Sequence, residues 1–308
     1  MKKLNIPQYE IKWYSEADNP KIQELFARCF GGRTISNEAI EWQLMRNPVL
    51  KKRAVALWDQ DALIAYTSLT PSYCTLNGQV LRCACSGTTM AHDEYLGVSV
   101  QLFKECERLN SDIEVIYGFP NKNSFPITKY VGHHYVGDMA FWHRKPQCDS
   151  DDSHIGEIFA FGEKHGELYK PLTKNHSFIK NRNTDYLNWR FVDRPGFNYR
   201  IYEYAVSSDI LGYMVVSVYQ TEDELHYQII DLIAENKDVF KSMMRFAIHK
   251  SYLMQADVVK LWMPSKEYAG TLEELGFAYG LQPFKCSIWN NQIVLEDSYL
   301  TMSDSDIF

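Results

Sequence analysis

No stretch of this chain strings together the roughly 18 apolar residues that a membrane-crossing helix needs, so no membrane span is expected. Broad positive charge is missing as well: 32 Lys and Arg face 39 Asp and Glu, for a net charge of −7 and a pI near 5.7. That balance does not suit a phosphate backbone, which argues against nucleic acid as a partner. Paired cysteines are also lacking. The seven, at 29, 74, 83, 85, 106, 148 and 286, are odd in number and scattered, and the opening Met-Lys-Lys-Leu-Asn-Ile-Pro has no apolar signal core. A reduced, soluble, cytoplasmic protein is the expectation. Cys83 and Cys85 form a C-x-C with no second Cys or His pair at zinc spacing; two apart on a strand, both point into one core. His133-His134 is likewise a lone pair, expected at a turn or the surface, and no metal site is expected.

What the 308 residues do hold is 45% hydrophobic side chains, enough for one large domain or two ordinary ones. Residues 82–108 read as a buried strand, a turn and a helix. Gly87 lies inside the strand pattern, where glycine usually marks a bulge or a close backbone approach. Val98, Leu102, Phe103, Cys106 and Leu109 recur at helical spacing, so the helix start is aimed back at the turn and could hold an anion. Around this stretch, Asn19-Pro20 followed by Ile22, Leu25 and Phe26 and closed by Gly31-Gly32 spells a helix, with a second from Glu38 to Arg46. Asp59-Gln-Asp61 and Asn77-Gly78 split apolar runs as hairpins do. Residues 113–119 form a buried strand, and Pro120 to Ser124 is a loop into a short helix that stops at Gly132.

Apolar periodicity lapses from Arg144 to Ser153, as at a domain boundary, and the second half then repeats the first. Trp42-x5-Pro48 returns as Trp189-x5-Pro195, and residues 54–69 align without a gap on 201–216, both at an offset of 147. Residues 113–120 with Gly132 return as 257–264 with Gly276 at an offset of 144, keeping the interval of twelve from Pro to Gly. Two copies of one mixed α/β unit follow, residues 1–146 and 147–308. Opposite the 83–97 stretch the second copy has residues 228–240, with no glycine, and its Val239, Met243, Met244, Phe246 and Ala247 make an amphipathic packing helix. Any anion site is therefore expected in the first copy, with the second as a structural or acceptor-shaping partner.

Helix, hairpin, bulged strand, anion-facing turn, helix, strand and Gly-terminated short helix together resemble the GNAT acyltransferase fold. Gly118-Phe-Pro-Asn-Lys-Asn-Ser124 with Gly132 resembles the Phe-Pro-Asn-x-x-Ser loop of tandem GNAT-like proteins, many of them tied to surface polysaccharide clusters. Trp189-Arg-Phe-Val-Asp-Arg-Pro195 and the terminal Asp304-Ser-Asp306 are similar to that group too. The resemblance implies a mixed α+β chain of two tandem GNAT-like units, each a mostly antiparallel sheet flanked by helices. It implies acetyl-CoA or another acyl-CoA as co-substrate. Amides of Leu96, Gly97, Val98 and Ser99 would meet its pyrophosphate, and those of Gly87, Thr88, Thr89 and Met90 would polarise the thioester. Asn121, Asn123 and Ser124 would contact the cofactor arm or cap the next helix. Tyr95 stands on a position the family gives to glycine, and Glu94 where it has a basic or amide residue. The family's tyrosine acid falls on Thr128, leaving Tyr130, two further on, as the candidate; His92 and Asp93 are base candidates or solvated turn residues.

The resemblance points to a CoA-dependent N-acyltransferase, N-acetyl transfer to a small-molecule amine such as an amino sugar, with the acceptor in the cleft between the copies. A GNAT-like pseudoenzyme, a binding or scaffold protein, is the alternative. Aminoacyl transfer from tRNA is a third reading that the acidic balance opposes.

Overall fold

The computed structural model describes residues 9–95, 97–149, 152–289 and 291–306. Cα packing divides the chain into two compact units. Unit 1 comprises Met1–Tyr73, Arg82–Tyr135 and Cys286–Gln292, and unit 2 comprises Cys74–Leu81, Val136–Lys285 and Ile293–Phe308.

Unit 1 begins with β1 (Glu10–Trp13), α1 (Asn19–Cys29) and α2 (Asn37–Met45). Proline in the first turn of α1 costs no hydrogen bond, and the Ser36 side chain caps α2 by accepting from Ala39 N at 3.1 Å. β2 (Ala54–Asp59), β3 (Ala62–Leu76) and β4 (Gln79–Ala91) follow as hairpins. Asn77 at φ 49° and Gly78 at φ 82° make the tight turn between β3 and β4, which needs left-handed backbone at both positions. α3 (Val98–Leu109), β5 (Val115–Gly118) and α4 (Phe125–Val131) complete the run. The unit's strand order is β1-β2-β3-β4-β5, and the next place belongs to the end of β13 (Ala278–Trp289), where Ser287 pairs with Gly118 and Trp289 with Ile116. β4 and β5 are parallel; β1–β2, β2–β3 and β5–β13 are antiparallel.

β2 is apolar on both faces because both are covered. Ala54, Ala56 and Trp58 pack with Ile22, Leu25, Ile40 and Leu44 of α1 and α2, whereas Val55 and Leu57 pack with Val98, Leu102 and Cys106 of α3. Cys83 and Cys85 are both buried, as their spacing implied. His133 departs from expectation. Its ring is buried and its Nε2 lies 2.7 Å from Glu107 Oε1, a partner one helix away that no local pattern announces.

Unit 2 repeats the element order. From β6 (His134–Arg144) the chain passes through β7 (Ile155–Ile158), α5 (Glu163–Glu167), β8 (Phe178–Lys180) and α6 (Thr184–Leu187), which runs into a π-helical turn, Asn188–Val192. β9 (Arg200–Val206), β10 (Asp209–Gln220), β11 (Leu225–Ala234), α7 (Lys237–Leu253), β12 (Val258–Trp262) and α8 (Lys266–Glu274) then match β2 through α4 in order. The match reaches single caps. Asn183, 147 residues after Ser36, accepts from Tyr186 N as Ser36 does from Ala39 N. Gly132 and Gly276 end α4 and α8 in left-handed backbone, each followed by an N–H bonded five residues back, His133 to Thr128 and Phe277 to Leu272. The sheet order is β6-β12-β11-β10-β9-β7, and β6 pairs antiparallel with β12. β8 pairs with the end of β3 and with β14 (Ser298–Tyr299). The fold class is therefore mixed α/β, each unit a mostly antiparallel sheet flanked by helices.

A buried charge network ties the C-terminal segment to β11, with Arg182, Asp231 and Asp304 fully buried. Arg182 bonds Asp231 through Nε at 3.0 Å, Asp304 through Nη2 at 3.0 Å and Lys180 O through Nη1 at 2.8 Å. Lys180 Nζ adds a 3.2 Å contact to Asp304, and Tyr213 and Thr301 donate to Asp231. Burial opposes the charge of Arg182, but Asp231 and Asp304 more than offset it and hold the guanidinium above its ordinary value. Burial likewise opposes the Asp304 carboxylate, yet Arg182 and Lys180 hold it below the usual range. Arg182→Met leaves two carboxylates facing one lysine in a dry interior and should destabilise by about 3–5 kcal/mol in urea unfolding. A depressed carboxylate contributes stability above the unfolded aspartate value, about 4, and loses it as pH falls through the lower folded value. Asp304→Asn should accordingly remove part of the acid-induced loss of stability.

Candidate functional site

The candidate site residues fall in two segments of unit 1, 87–99 and 121–130. β4 and β5 keep parallel register from Cys83↔Val115 to Ser86↔Gly118, where β5 ends while β4 runs on to Ala91. Beyond that last rung β5 offers β4 no partner strand, and the wedge between the two strands is this unpaired edge past the end of β5.

The bulge in β4 can be located from packing. Ala84 belongs to the α3-facing core, and Met90 to the core under α1 and α2. Six apart on an unbroken strand, they would share a face, so one extra residue lies between them. That residue is Thr88, at φ 43°. A β-branched residue there stores on the order of 1–3 kcal/mol of strain. Gly87, the expected bulge, is its neighbour, and its carbonyl accepts from Ser68 Oγ at 3.2 Å. Thr89 Oγ1 meets Thr67 Oγ1 at 2.8 Å, and Gln43 Nε2 reaches Ser68 Oγ at 3.1 Å. These contacts brace the bulge from β3 and α2.

The turn ends on Gly97, at φ 77°, which caps α3 without a side chain. Leucine 96 is outside the described residues. The Gly97 carbonyl accepts from Val100 N and Gln101 N, Val98 is buried, and Ser99 is half-buried. An open helix start of this kind directs positive potential at whatever sits before it. α7 in unit 2 differs. There Asn236 turns its side chain onto Asp238 N and Val239 N, both at 3.0 Å, and fills the helix start.

Acidic residues beside the turn have a partner far from them in the chain, which no local pattern announces. Arg28, at the end of α1, reaches Asp93 at 3.1 Å and Glu94 at 3.2 Å. Its hydrogen bond lowers the Asp93 carboxyl and raises Arg28 in turn. His92 is held by its backbone N–H to Ile64 O at 2.8 Å, and its Nδ1 accepts from Glu94 N at 3.3 Å. Its ring stands edge-on to Tyr95, 5.2 Å between centroids.

On the far side, Asn121 rather than Ser124 organises the loop. Asn121 Oδ1 accepts from Asn123 N at 2.9 Å, Ser124 N at 3.1 Å and Ser124 Oγ at 3.3 Å, and its carbonyl accepts from Phe125 N. Ser124 makes no side-chain cap. Thr128 is buried with its hydroxyl on Phe125 O at 3.0 Å, while Tyr130 is 71% exposed with Lys104 Nζ 5.7 Å from its ring. Two positions apart on a helix, they point to different sides. A separate cleft of about 540 Å³, lined by Lys145, Pro146, Tyr252, Leu253 and neighbours, involves no predicted site residue. Among the described residues no helix is long and apolar enough to cross a membrane. Asn121→Ala frees three donors at once and should cost about 0.5–1.5 kcal/mol, read as faster amide exchange at Asn123 and Ser124.

No protein-family model matches the chain, and no curated protein does. Solved structures do. A conserved protein of unknown function from Enterococcus faecalis V583, described as a probable N-acyltransferase, shares 16% identity at a TM-score of 0.68, over 94% of this chain and 74% of its own. A GCN5-related N-acetyltransferase from Anabaena variabilis shares 13% identity at 0.68, over 91% and 72%. The N-myristoyltransferase of Saccharomyces cerevisiae, solved with myristoyl-CoA and inhibitors, shares 12% at 0.68, over 99% and 88%. At such identities the likeness is one of fold: the chain shares the fold of a GCN5-related N-acetyltransferase and of an N-myristoyltransferase.

Proposed function

We propose that the chain is an acyl-CoA-dependent N-acyltransferase and that unit 1 holds the thioester. One observation carries the reading: in unit 1 the wedge between β4 and β5, the bulge at Thr88 and the uncapped start of α3 lie along one continuous stretch of chain. The pantetheine arm would lie along β4, the pyrophosphate at the amides from Gly97 to Ser99, and the carbonyl near the amides of Gly87 to Met90. Asn121, Asn123 and Ser124 would border the cofactor arm.

Unit 2 supports the division of labour. Its β11 and β12 also stop pairing at Ile229↔Leu261, but the Tyr299 hydroxyl donates to Leu232 O and Asn236 occupies the start of α7. In this reading unit 2 is the structural or acceptor-shaping copy.

In the reaction the neutral amine attacks the thioester carbonyl; the C–N bond forms, the C–S bond breaks, and the thiolate leaves with a proton taken up from its surroundings. Asp93 is held ionised by Arg28 and is a weak base. His92 can accept the amine proton once its ring turns Nδ1 from Glu94 N. Tyr130, facing solvent beside Lys104, is the proton donor this reading assigns to the thiolate, with Thr128 too enclosed for that role. Arg28 offsets Asp93 and Glu94, the residues that would otherwise repel pyrophosphate. Amino sugars are the acceptor class drawn from the resemblance.

Titration calorimetry with acetyl-CoA and with free CoA tests this reading. Binding is expected, and silence at millimolar ligand would leave a GNAT-fold binding or scaffold protein. Gly97→Glu, with circular dichroism checking the fold, should abolish binding; unchanged affinity would place the pyrophosphate elsewhere. Arg28→Ala should weaken binding a few-fold, more so at low ionic strength. Thiol release from acetyl-CoA with glucosamine then tests the acceptor.

A further inference from the structure

The last rung of the wedge continues onto a third strand. Ser86 registers with Gly118, and Gly118 with Ser287 near the end of β13. All three share a face. Ala84, Ile116 and Trp289, each two residues away from one of them, pack against the core of α3. The row therefore reads serine, no side chain, serine, at the rung where β5 ends.

Two features of this row lack a purpose within the protein. Ser287 is 2% exposed, and its hydroxyl has no hydrogen-bond partner among the described residues. Such a group costs free energy unless something binds it. A Cβ built on Gly118 would meet Ser86 O at 3.4 Å and Ser86 Cβ at 3.5 Å, ordinary contacts. Gly118 is also absent from the positive-φ residues, so neither packing nor backbone demands glycine there. A vacant floor beside a buried, unsatisfied hydroxyl is the arrangement of a ligand contact.

We infer that Ser287 is a binding residue for the acyl-pantetheine arm, donating a hydrogen bond to an oxygen near its thioester end, with Gly118 as the bare floor over which that end lies. The inference rests on the acyl-CoA reading of unit 1. It assigns to the C-terminal strand a contact with the cofactor of the N-terminal half. A chain cut before β13 would lose that contact even though every residue of β4, α3 and α4 remained.

Calorimetry with acetyl-CoA on the full chain, paired with thermal denaturation, tests it. Ser287→Ala should weaken acetyl-CoA binding about 5- to 10-fold, as loss of one neutral hydrogen bond does, while leaving Tm unchanged or higher. Gly118→Val, whose Cβ the fold accommodates, should weaken it about tenfold or more by filling the floor. Ser287→Thr, which keeps the hydroxyl, should bind better than Ser287→Ala. Wild-type affinity in Ser287→Ala and Gly118→Val would overturn the inference while leaving the acyl-CoA reading intact. A Tm loss in Ser287→Ala without loss of affinity would overturn it in favour of a packing role. A wild-type chain that binds no acetyl-CoA would remove the underlying reading itself.

Discussion

A strand that outruns its neighbour must satisfy its backbone groups by other means, and both units are organised around that requirement. In unit 2, β11 continues past its last pairing with β12, and the C-terminal segment answers with the Tyr299 hydroxyl on Leu232 O. That segment is tied down by Arg182, whose guanidinium joins Asp231 on β11 to Asp304 near the end of the chain. Buried charge is tolerated there because two cations meet two anions and nearly every donor has an acceptor. In unit 1, β4 outruns β5 in the same way, and here the glycine start of α3 and the bulge at Thr88 border the opening. The same architectural event is thus sealed in one unit and bordered by ligand-type features in the other.

Electrostatics at the α3 start follows from a similar economy of partners. Asp93 and Glu94 would set two negative charges beside a helix N-terminus that favours an anion. Arg28 answers both through a single guanidinium. Because all three side chains are well exposed, the arrangement contributes little to folding; its consequence is the local potential at the turn.

Much of this was legible in the residues. The Asn77-Gly78 turn, the Pro-initiated α1, the buried pair Cys83 and Cys85 and the glycine that ends α4 are local, and local chemistry specifies them: left-handed backbone, a missing N–H, strand alternation. Residues that recur at an offset of 147 include two whose types differ, Ser36 and Asn183, and each side chain offers an oxygen to an N–H three residues on. Asn121 was visible as a motif residue, but not as the side chain that holds the loop before α4 through Asn123 N, Ser124 N and Ser124 Oγ.

What remained hidden is whatever depends on residues far apart in the chain. The bulge falls on Thr88 and not on Gly87 because packing on two faces decides where the extra residue goes. Arg28 reaches the turn from 65 residues away, His133 is buried by Glu107 on α3, and Ser287 joins Gly118 only through strand pairing. By itself the sequence determined most of the elements and their order, set by interactions within a few residues. Only the tertiary structure decided which strand end borders the wedge, which cation faces the acidic turn and that the Ser287 hydroxyl is buried with no hydrogen-bond partner among the described residues, because pairing and burial are properties of the assembled sheet.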